Sequence, residues 1–288
     1  MSGQSVLITG ASTGIGEASA YHLDSKGYQV FAGVRKQADA DRIKSKSSDQ
    51  LRTVFLDVTD TLSIASAADF VRQELGSEGL YGLVNNAGIA VAAPIEFLPV
   101  DDLRKQLEVN VIGQVLVIQA FLPLLRKARG RIINISSIGG RVAAPFLGPY
   151  SASKFAFEAL SDSLRVELSP WGIHVAIIEP GSISTPIWEK SLAAVDERLE
   201  GLSIDLDRYY HPAIARTRSI AKHSAMYGLP AQDVALVVEK ALEAPQPKAR
   251  YVIGKGTRLA LLLKALAPTW LRDRYLAKRT GVSEIHPA

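Results

Sequence analysis

The sequence predicts an α/β fold built on a doubly wound parallel sheet of seven strands. Short β-branched runs alternate with segments of helical length, which implies parallel pairing through right-handed crossovers. The runs are apolar throughout, as expected of strands covered by helices on both faces. Seven runs occur, at Val6–Ile8, Val30–Val34, Thr53–Leu56, Leu83–Val84, Arg131–Ile135, Val175–Ile178 and Tyr251–Ile253.

The composition is that of a folded globular protein. Of the 288 residues, 47% are hydrophobic and 22% are charged. Cysteine does not occur in the sequence, which excludes disulfides and thiolate chemistry. The first strand begins at Ser5, too early for an export signal ahead of it, and no uninterrupted apolar run has the length of a membrane span. We therefore expect a cytoplasmic protein.

No linker, repeat or low-complexity tract divides the chain, so we predict a single domain over residues 1–288 with its core at 5–255. Residues 182–230 form a long connection after the sixth strand. Such an insertion is typical of a binding lid, and we predict a substrate lid here. Residues 256–288 follow the seventh strand and form a C-terminal helical extension.

A glycine-rich turn, TGASTGIG, lies directly after the first strand and opens a helix. Gly10 permits the sharp turn, Gly14 lets the backbone approach a pyrophosphate, and Gly16 lets the helix lie close to the sheet. Free amides at the helix start would then bind the anion. A glycine cluster also occurs in tight turns without a ligand, but the strand–turn–helix context favours a dinucleotide site.

The end of the second strand indicates which dinucleotide is bound. Arg35 and Lys36 occupy the position, about 20 residues after the last glycine, where an acidic residue would bind an unphosphorylated ribose. A guanidinium there suits a 2′-phosphate, and Ser12 could add a hydroxyl, so NADP(H) is favoured over NAD(H). The alternative is that both cations are solvated loop residues. Asp57 could accept from the adenine amino group or cap the helix near Thr61.

The segment YSASK places Tyr150 and Lys154 one turn apart on the same helix face. A free tyrosine has a pKa near 10, but an ammonium about 4 Å away would lower it by roughly three units. Ser137 follows the fifth strand, where its hydroxyl can reach a ligand in the crevice of the sheet. Each feature alone is common on exposed helices and turns, whereas their combination is specific.

Together these motifs resemble the short-chain dehydrogenase/reductase superfamily. TGASTGIG, NNAG, Asn110, Ser137, YSASK and PGSIST occur in that family's order and spacing over roughly residues 5–255. The resemblance implies a Rossmann fold that binds the coenzyme. Pro180, Gly181, Ile183 and Thr185 would lie at the nicotinamide end of the coenzyme, and they close the full set of residues expected to bind it. The set is Gly10, Ser12, Thr13, Gly14, Ile15, Gly16, Arg35, Lys36, Asp57, Val58, Asn86, Ala87, Gly88, Tyr150, Lys154, Pro180, Gly181, Ile183 and Thr185.

The resemblance also implies a mechanism. Tyr150 would exchange a proton with the substrate oxygen, and Ser137 would orient that oxygen. Lys154 would lower the pKa of Tyr150 and hold the nicotinamide ribose. Asn110, midway along the fourth helix, would hold a water of a proton relay. The function expected is an NADP(H)-dependent oxidoreductase.

The segments expected to surround the substrate are apolar, and the GVRK turn, the lid and the tail resemble the 17β-hydroxysteroid dehydrogenase and retinol dehydrogenase branch. This implies a lipophilic ketone, aldehyde or alcohol, such as a steroid, a retinoid or a fatty carbonyl. The predicted substrate contacts are Ser137, Val142, Phe146, Leu147, Ile187 and Trp188.

The tail mixes leucines with cations, and between residues 255 and 280 basic residues outnumber acids seven to one. It could lie in a membrane interface as a peripheral contact. Alternatively, residues 259–266 pack on the protein or against another subunit. Family members commonly pair through the fourth and fifth helices, so the resemblance implies a homodimer or homotetramer.

Other classes of protein fit less well. Nucleic-acid binding would rest on the basic tail alone, and the five histidines lack metal-ligand spacing. A catalytically silent cofactor-binding sensor or scaffold of the same fold is the main alternative, although a binding module needs no proton donor. A dehydratase or epimerase reaction on the same fold is another.

Overall fold

The computed structural model describes residues 3–189, 191, 204–254 and 256–285. Seven parallel strands form one sheet in the order β3-β2-β1-β4-β5-β6-β9, which confirms the predicted doubly wound fold. The strand order reverses between β1 and β4, so a crevice opens at the carboxyl ends of these strands. The strands are β1 Ser5–Ile8, β2 Gln29–Val34, β3 Leu51–Phe55, β4 Gly82–Asn85, β5 Arg131–Ile135, β6 His174–Pro180 and β9 Arg250–Ile253.

Helices cover both faces of this sheet because alternate strand residues face opposite layers. Val6 and Ile8 pack in a core with α1, α2 and α8, whereas Leu7 packs on the other face with α3 and α5. The helices are α1 Gly14–Ser25, α2 Gln37–Lys44, α3 Thr61–Leu75, α4 Val100–Leu107, α5 Gly113–Ala128, α6 Gly148–Glu167, α7 Ile204–Tyr227, α8 Ala231–Glu243, α9 Thr257–Leu266 and α10 Thr269–Thr280.

Helices α4 and α5 run on as one helix through a π-helical turn, Glu108–Ile112. The continuous helix Val100–Ala128 is long and apolar enough, by length and composition, to cross a membrane, since an 18-residue stretch of it has a mean hydropathy of 1.6. Its residues Val117, Phe121 and Leu125 are nevertheless buried against the sheet and α3. One face of this helix therefore packs in the core of the fold.

The long connection after β6 contains a second, two-stranded sheet that the sequence reading missed. Strand β7, Ile183–Ser184, pairs in parallel with β8, Leu229–Pro230, so the two ends of the connection meet. The predicted lid over residues 182–230 includes α7, and its residues 190 and 192–203 lie outside the described residues. The pairing is too short for a propensity signal.

The predicted extension is helical where it is described. Helix α10 contacts α7, and Thr280 is buried beside that contact. By contrast, α9 exposes more than half of each of Leu259, Leu262, Leu263 and Leu266. Most of the surface of these four leucines therefore does not pack against the described part of the chain.

Candidate active site

The glycine turn between β1 and α1 has the geometry of an anion cradle. Gly10 and Gly14 have φ angles of +64° and +62°, which side chains other than glycine rarely adopt. A Cβ on Gly16 would lie 2.3 Å from the carbonyl oxygen of Gly10. Thr13, the N-cap residue of α1, makes no side-chain capping bond, so the first amides of the helix have no side-chain acceptor there. These features fit the pyrophosphate of a dinucleotide.

Thr9 and Asn86 fix the shape of this turn. The Asn86 side-chain amide donates to the carbonyl oxygens of Thr9 and Gly10 at 2.9 and 3.0 Å. In return, the Thr9 hydroxyl accepts from the backbone amides of Asn86 and Ala87 at 2.9 and 3.0 Å. Asn86 borders the cleft, as expected, and its amide group also closes the turn. Thr9 was missed because a threonine ending a strand carries no distinctive signal.

Arg35 and Asp57 border the cleft beyond the carboxyl ends of β2 and β3, where the adenosine half of the coenzyme is predicted to lie. The Arg35 side chain is 69% exposed, with Nη1 3.7 Å from a carboxylate oxygen of Asp57. Burial raises the pKa of Asp57, but hydrogen bonds from Thr59 and the charge of Arg35 outweigh this and lower it overall. Lys36 is exposed as the N-cap residue of α2 and does not border the cleft.

The alternative that Asp57 caps α3 is wrong, because the cap is Asp60. The Asp60 carboxylate accepts from the amides of Leu62 and Ser63 at 2.9 and 3.3 Å. Asp57 instead binds the backbone amide and hydroxyl of Thr59. The sequence could have identified Asp60, which immediately precedes the first helical residue, Thr61.

Arg42 also contacts the glycine turn and was not predicted. From α2, its guanidinium donates to the carbonyl oxygen of Ser12 at 2.5 Å and pairs with Glu17 of α1. It therefore braces the turn from outside the cleft. Nothing in the sequence pairs residues that lie on two different helices.

Ser137, Tyr150 and Lys154 come together at the other end of the cleft, and each is less than 10% exposed. Lys154 donates from Nζ to the carbonyl oxygen of Ile135 at 2.8 Å and lies 6.0 Å from the centre of the Tyr150 ring. The Ser137 hydroxyl accepts from the amide of Gly139 at 3.0 Å.

The causes of the pKa shifts in this trio differ from the expected one, a lowering of the Tyr150 pKa by Lys154. Burial raises the pKa of Tyr150, with an opposing hydrogen bond from Ser137. Burial lowers the pKa of Lys154 to about 8, and the charge of Glu158 opposes that shift. In this arrangement the ammonium is directed to a backbone carbonyl, and the lowering of the Tyr150 pKa by Lys154 stays a prediction.

Asn110 lies in the π-helical turn, with both side-chain polar atoms bound to protein. Its oxygen accepts from the amide of Ile89 at 2.9 Å, while its nitrogen donates to the Ile89 carbonyl at 3.0 Å and to the Ser153 hydroxyl at 3.1 Å. π turns often occur at functional positions. The side chain thus joins the floor of the cleft to α6, and the water relay stays a prediction.

The cleft has a volume of about 220 Å³ and runs from the glycine turn to the trio. Of the predicted substrate contacts, Ser137, Ile187 and Trp188 border it. Val142, Phe146 and Leu147 do not; Phe146 is buried, with its ring edge-on to Tyr210 of α7 at 5.9 Å. Lining residues absent from the prediction are Gly33, Val34, Leu56, Ile89, Val109, Ile135, Ser136 and Pro186.

Thr185 closes the cleft over the glycine turn, since a Cβ on Gly14 would lie 3.2 Å from its methyl group. Pro180, Gly181 and Ile183 also line the cleft, and their place at the nicotinamide end stays a prediction. Gly16 lies beneath the turn and outside the lining. Among the described residues, no group of three or more His, Cys, Asp or Glu could hold a metal ion.

A glycine cradle at the switch point of a doubly wound sheet, facing a buried Ser–Tyr–Lys trio, defines an oxidoreductase that uses a nicotinamide coenzyme. The chain belongs to the short-chain dehydrogenase family, whose sequence model, short chain dehydrogenase, matches residues 4–196. Within this superfamily it falls in the retinol dehydrogenase-like branch.

Individual relatives support this placement. The chain is 40% identical over 276 residues to retinol dehydrogenase 7 of Mus musculus, covering 94% of this chain and 87% of that protein. It is 37% identical over 277 residues to an NADPH-dependent 3-dehydrocapnine reductase of Ornithobacterium rhinotracheale, covering 94% and 95%. Among solved structures, a short-chain dehydrogenase from Streptomyces avermitilis is 26% identical with a TM-score of 0.76, covering 99% of this chain and 98% of that chain.

Proposed function

We propose that this chain is an NADP(H)-dependent oxidoreductase that interconverts a lipophilic ketone or aldehyde and its alcohol, with Tyr150 as general acid and base. The observation that carries the proposal is the convergence of Ser137, Tyr150 and Lys154 in the cleft that starts at the glycine turn. The single domain over residues 1–288, with a lid and a C-terminal extension, is part of the same proposal.

Some residues of the chain are proposed to bind the coenzyme, and others to transfer the proton. The glycine turn and the start of α1 would bind the pyrophosphate, and Lys154 would bind the nicotinamide ribose. When bound, the coenzyme supplies or accepts the hydride. The Tyr150 hydroxyl gives its proton to the substrate oxygen in reduction and takes it back in oxidation, while Ser137 orients that oxygen.

NADP(H) is the proposed coenzyme because Arg35 borders the adenosine end of the cleft and is largely exposed. A guanidinium there can bind a 2′-phosphate in bidentate fashion. Asp57 lies beside it and would orient the guanidinium. The NADPH dependence of the 3-dehydrocapnine reductase relative is consistent with this choice.

The proposed substrate is lipophilic because the apolar side chains of Ile187 and Trp188 border the cleft. The retinol dehydrogenase relatives act on a lipophilic alcohol by name, which favours retinoids, steroids or fatty carbonyls. The test is a panel of such ketones, aldehydes and alcohols assayed with NADP(H) and NAD(H). We expect turnover that prefers NADP(H) and is lost in Tyr150→Phe.

The same panel separates the enzyme from a silent coenzyme-binding sensor. A sensor would bind NADPH, seen as a fluorescence change, without oxidising it in the presence of any carbonyl. A buried tyrosine and lysine in one cleft favour the enzyme, since burying two such groups is costly and a binding module does not need them.

The tail is proposed to contact a membrane surface peripherally, as an addition to the expected cytoplasmic location. Helix α9 exposes Leu262, Leu263 and Leu266, and α10 exposes Trp270 among its basic residues. This composition suits the interface of an anionic bilayer. Flotation with phosphatidylserine vesicles, comparing the full chain with a version ending at Gly256, tests it; equal soluble fractions would remove the proposal.

Assembly as a homodimer or homotetramer is proposed through the helices between β4 and β6. Ile112, Phe155 and Leu160 expose apolar side chains on that surface. Light scattering on the purified chain measures the mass directly, and Phe155→Asp should lower it if this surface is the interface.

A further inference from the structure

Glu158 lies on α6 one helical turn after Lys154. Tyr150, Lys154 and Glu158 are spaced four residues apart, which places them on one helix face. Glu158 is only 5% exposed. Because an ionised carboxylate is costly to bury without a partner, its position calls for a physical reason.

In the part of the chain that the structure describes, Arg250 is the direct partner of Glu158 and links it to a wider network of charged residues. Arg250 of β9 donates to one Glu158 oxygen at 3.1 Å and also lies 3.1 Å from a carboxylate oxygen of Glu179 on β6. Arg141, in the loop after Ser137, pairs with the same Glu179 oxygen at 2.9 Å. Asp162, one turn further along α6, binds Arg250 at 2.7 Å.

This network leaves part of the Glu158 carboxylate uncommitted. Among the described residues, the second carboxylate oxygen of Glu158, Oε1, is buried and has no hydrogen-bond partner. The nearby Ser136 hydroxyl is likewise buried and has no hydrogen-bond partner there. The turn at Ile138–Gly140 presses on this region, since a Cβ on Gly140 would lie 3.0 Å from Glu158 Cγ and 3.1 Å from the Lys154 carbonyl oxygen. Lys154 and Glu158 are both buried, so little water can screen the charge of Glu158 at Lys154, one helical turn away.

We propose that Glu158 is a positioning residue whose carboxylate keeps Lys154 in its ammonium form. Arg250 keeps Glu158 ionised, and the Arg141 and Arg250 guanidiniums compensate the fully buried Glu179. The remaining negative charge acts on Lys154 from one helical turn away. The proposal rests on the proposed function, since it assigns a second group to the control of the same proton.

The direction of the electrostatic effects agrees with this geometry. Burial lowers the pKa of Lys154 to about 8, and the Glu158 charge opposes that shift. Burial raises the pKa of Glu158, and the nearby Ser136 hydroxyl and the Arg250 guanidinium oppose this. Removing the Glu158 charge therefore lowers the pKa of Lys154 further.

The test is the pH dependence of turnover and of coenzyme affinity in Glu158→Gln. Because both depend on the Lys154 ammonium, each should decline near pH 8 in the parent protein. The decline should move down by about one pH unit in Glu158→Gln. Coenzyme affinity, measured by fluorescence titration, needs no turnover and gives an independent measure of Lys154.

Two variants separate this role from structural support. Asp162→Asn removes a carboxylate that binds the same guanidinium from the same helix, but farther from Lys154, and it should leave the midpoint unchanged. Glu158→Asp retains the charge and should restore most of the parental profile. If Glu158→Gln does not fold, Glu158→Met carries the same prediction, because Arg250 keeps Glu179 and Asp162 as partners.

An unmoved midpoint in Glu158→Gln, or equal shifts in Glu158→Gln and Asp162→Asn, would overturn the proposal and leave Glu158 as a brace between α6 and the sheet. Failure of the proposed function gives a different result. In that case the parent protein turns over no carbonyl or alcohol with either coenzyme, while the affinity titration still shows whether Glu158 shifts the Lys154 midpoint.

Discussion

Replacing Arg35 with alanine should change coenzyme preference without damaging the active site. The guanidinium stands at the end of β2, 69% exposed and 3.7 Å from Asp57. A charge-assisted hydrogen bond to a phosphate contributes about 1.5–3 kcal/mol, and at such an exposed position the lower value applies. This corresponds to roughly a tenfold loss in kcat/KM for NADPH, with little change for NADH.

The assay is steady-state kinetics with both coenzymes on one carbonyl substrate at fixed salt. Lys36→Ala is the matched control, because Lys36 is the neighbouring cation but does not border the cleft. We expect less than about a threefold effect from it with either coenzyme. An equal loss for NADPH and NADH in Arg35→Ala would refute the assignment of Arg35 to a 2′-phosphate.

Three further predictions follow from the structure. Gly16→Ala places a Cβ 2.3 Å from the Gly10 carbonyl oxygen and 2.4 Å from the Asn86 amide nitrogen. The substitution should therefore lower the free energy of unfolding by about 2 kcal/mol and weaken coenzyme binding. Unchanged thermal unfolding would contradict this. Asp60→Ala removes the cap of α3 and should cost about 1 kcal/mol in urea denaturation, with no change in kcat. Trp188→Ala should raise KM for lipophilic carbonyls several-fold while the Kd of NADPH changes little, and a parallel change in both constants would exclude Trp188 as a substrate contact.

Most of the fold was predictable because its signals are local. Apolar β-branched runs identify the strands, and the glycines of the turn report a backbone conformation that only glycine adopts readily. The four-residue spacing of Tyr150 and Lys154 likewise requires nothing more than a helix. Both side chains border one cleft because the strand order places that cleft beside their helix.

Other features depended on residues far apart in the chain. The β7–β8 pair joins residues 183–184 to 229–230, and the Arg250–Glu158 bond spans 92 positions. Phe146 was expected to face the substrate, yet it packs on Tyr210 of a helix that lies beyond two strands in sequence. No propensity or short motif carries such information.

The sequence by itself determined the parallel sheet, the glycine turn and the helical spacing of Tyr150 and Lys154, because short-range sterics and periodicity specify each of them. Only the tertiary structure decided that Lys154 bonds the Ile135 carbonyl, that Asn86 locks the glycine turn, and that Glu158 lies in a buried charge network. Those contacts form when crossovers bring distant strands and helices together, and the balance of burial and charge that sets each pKa exists only there.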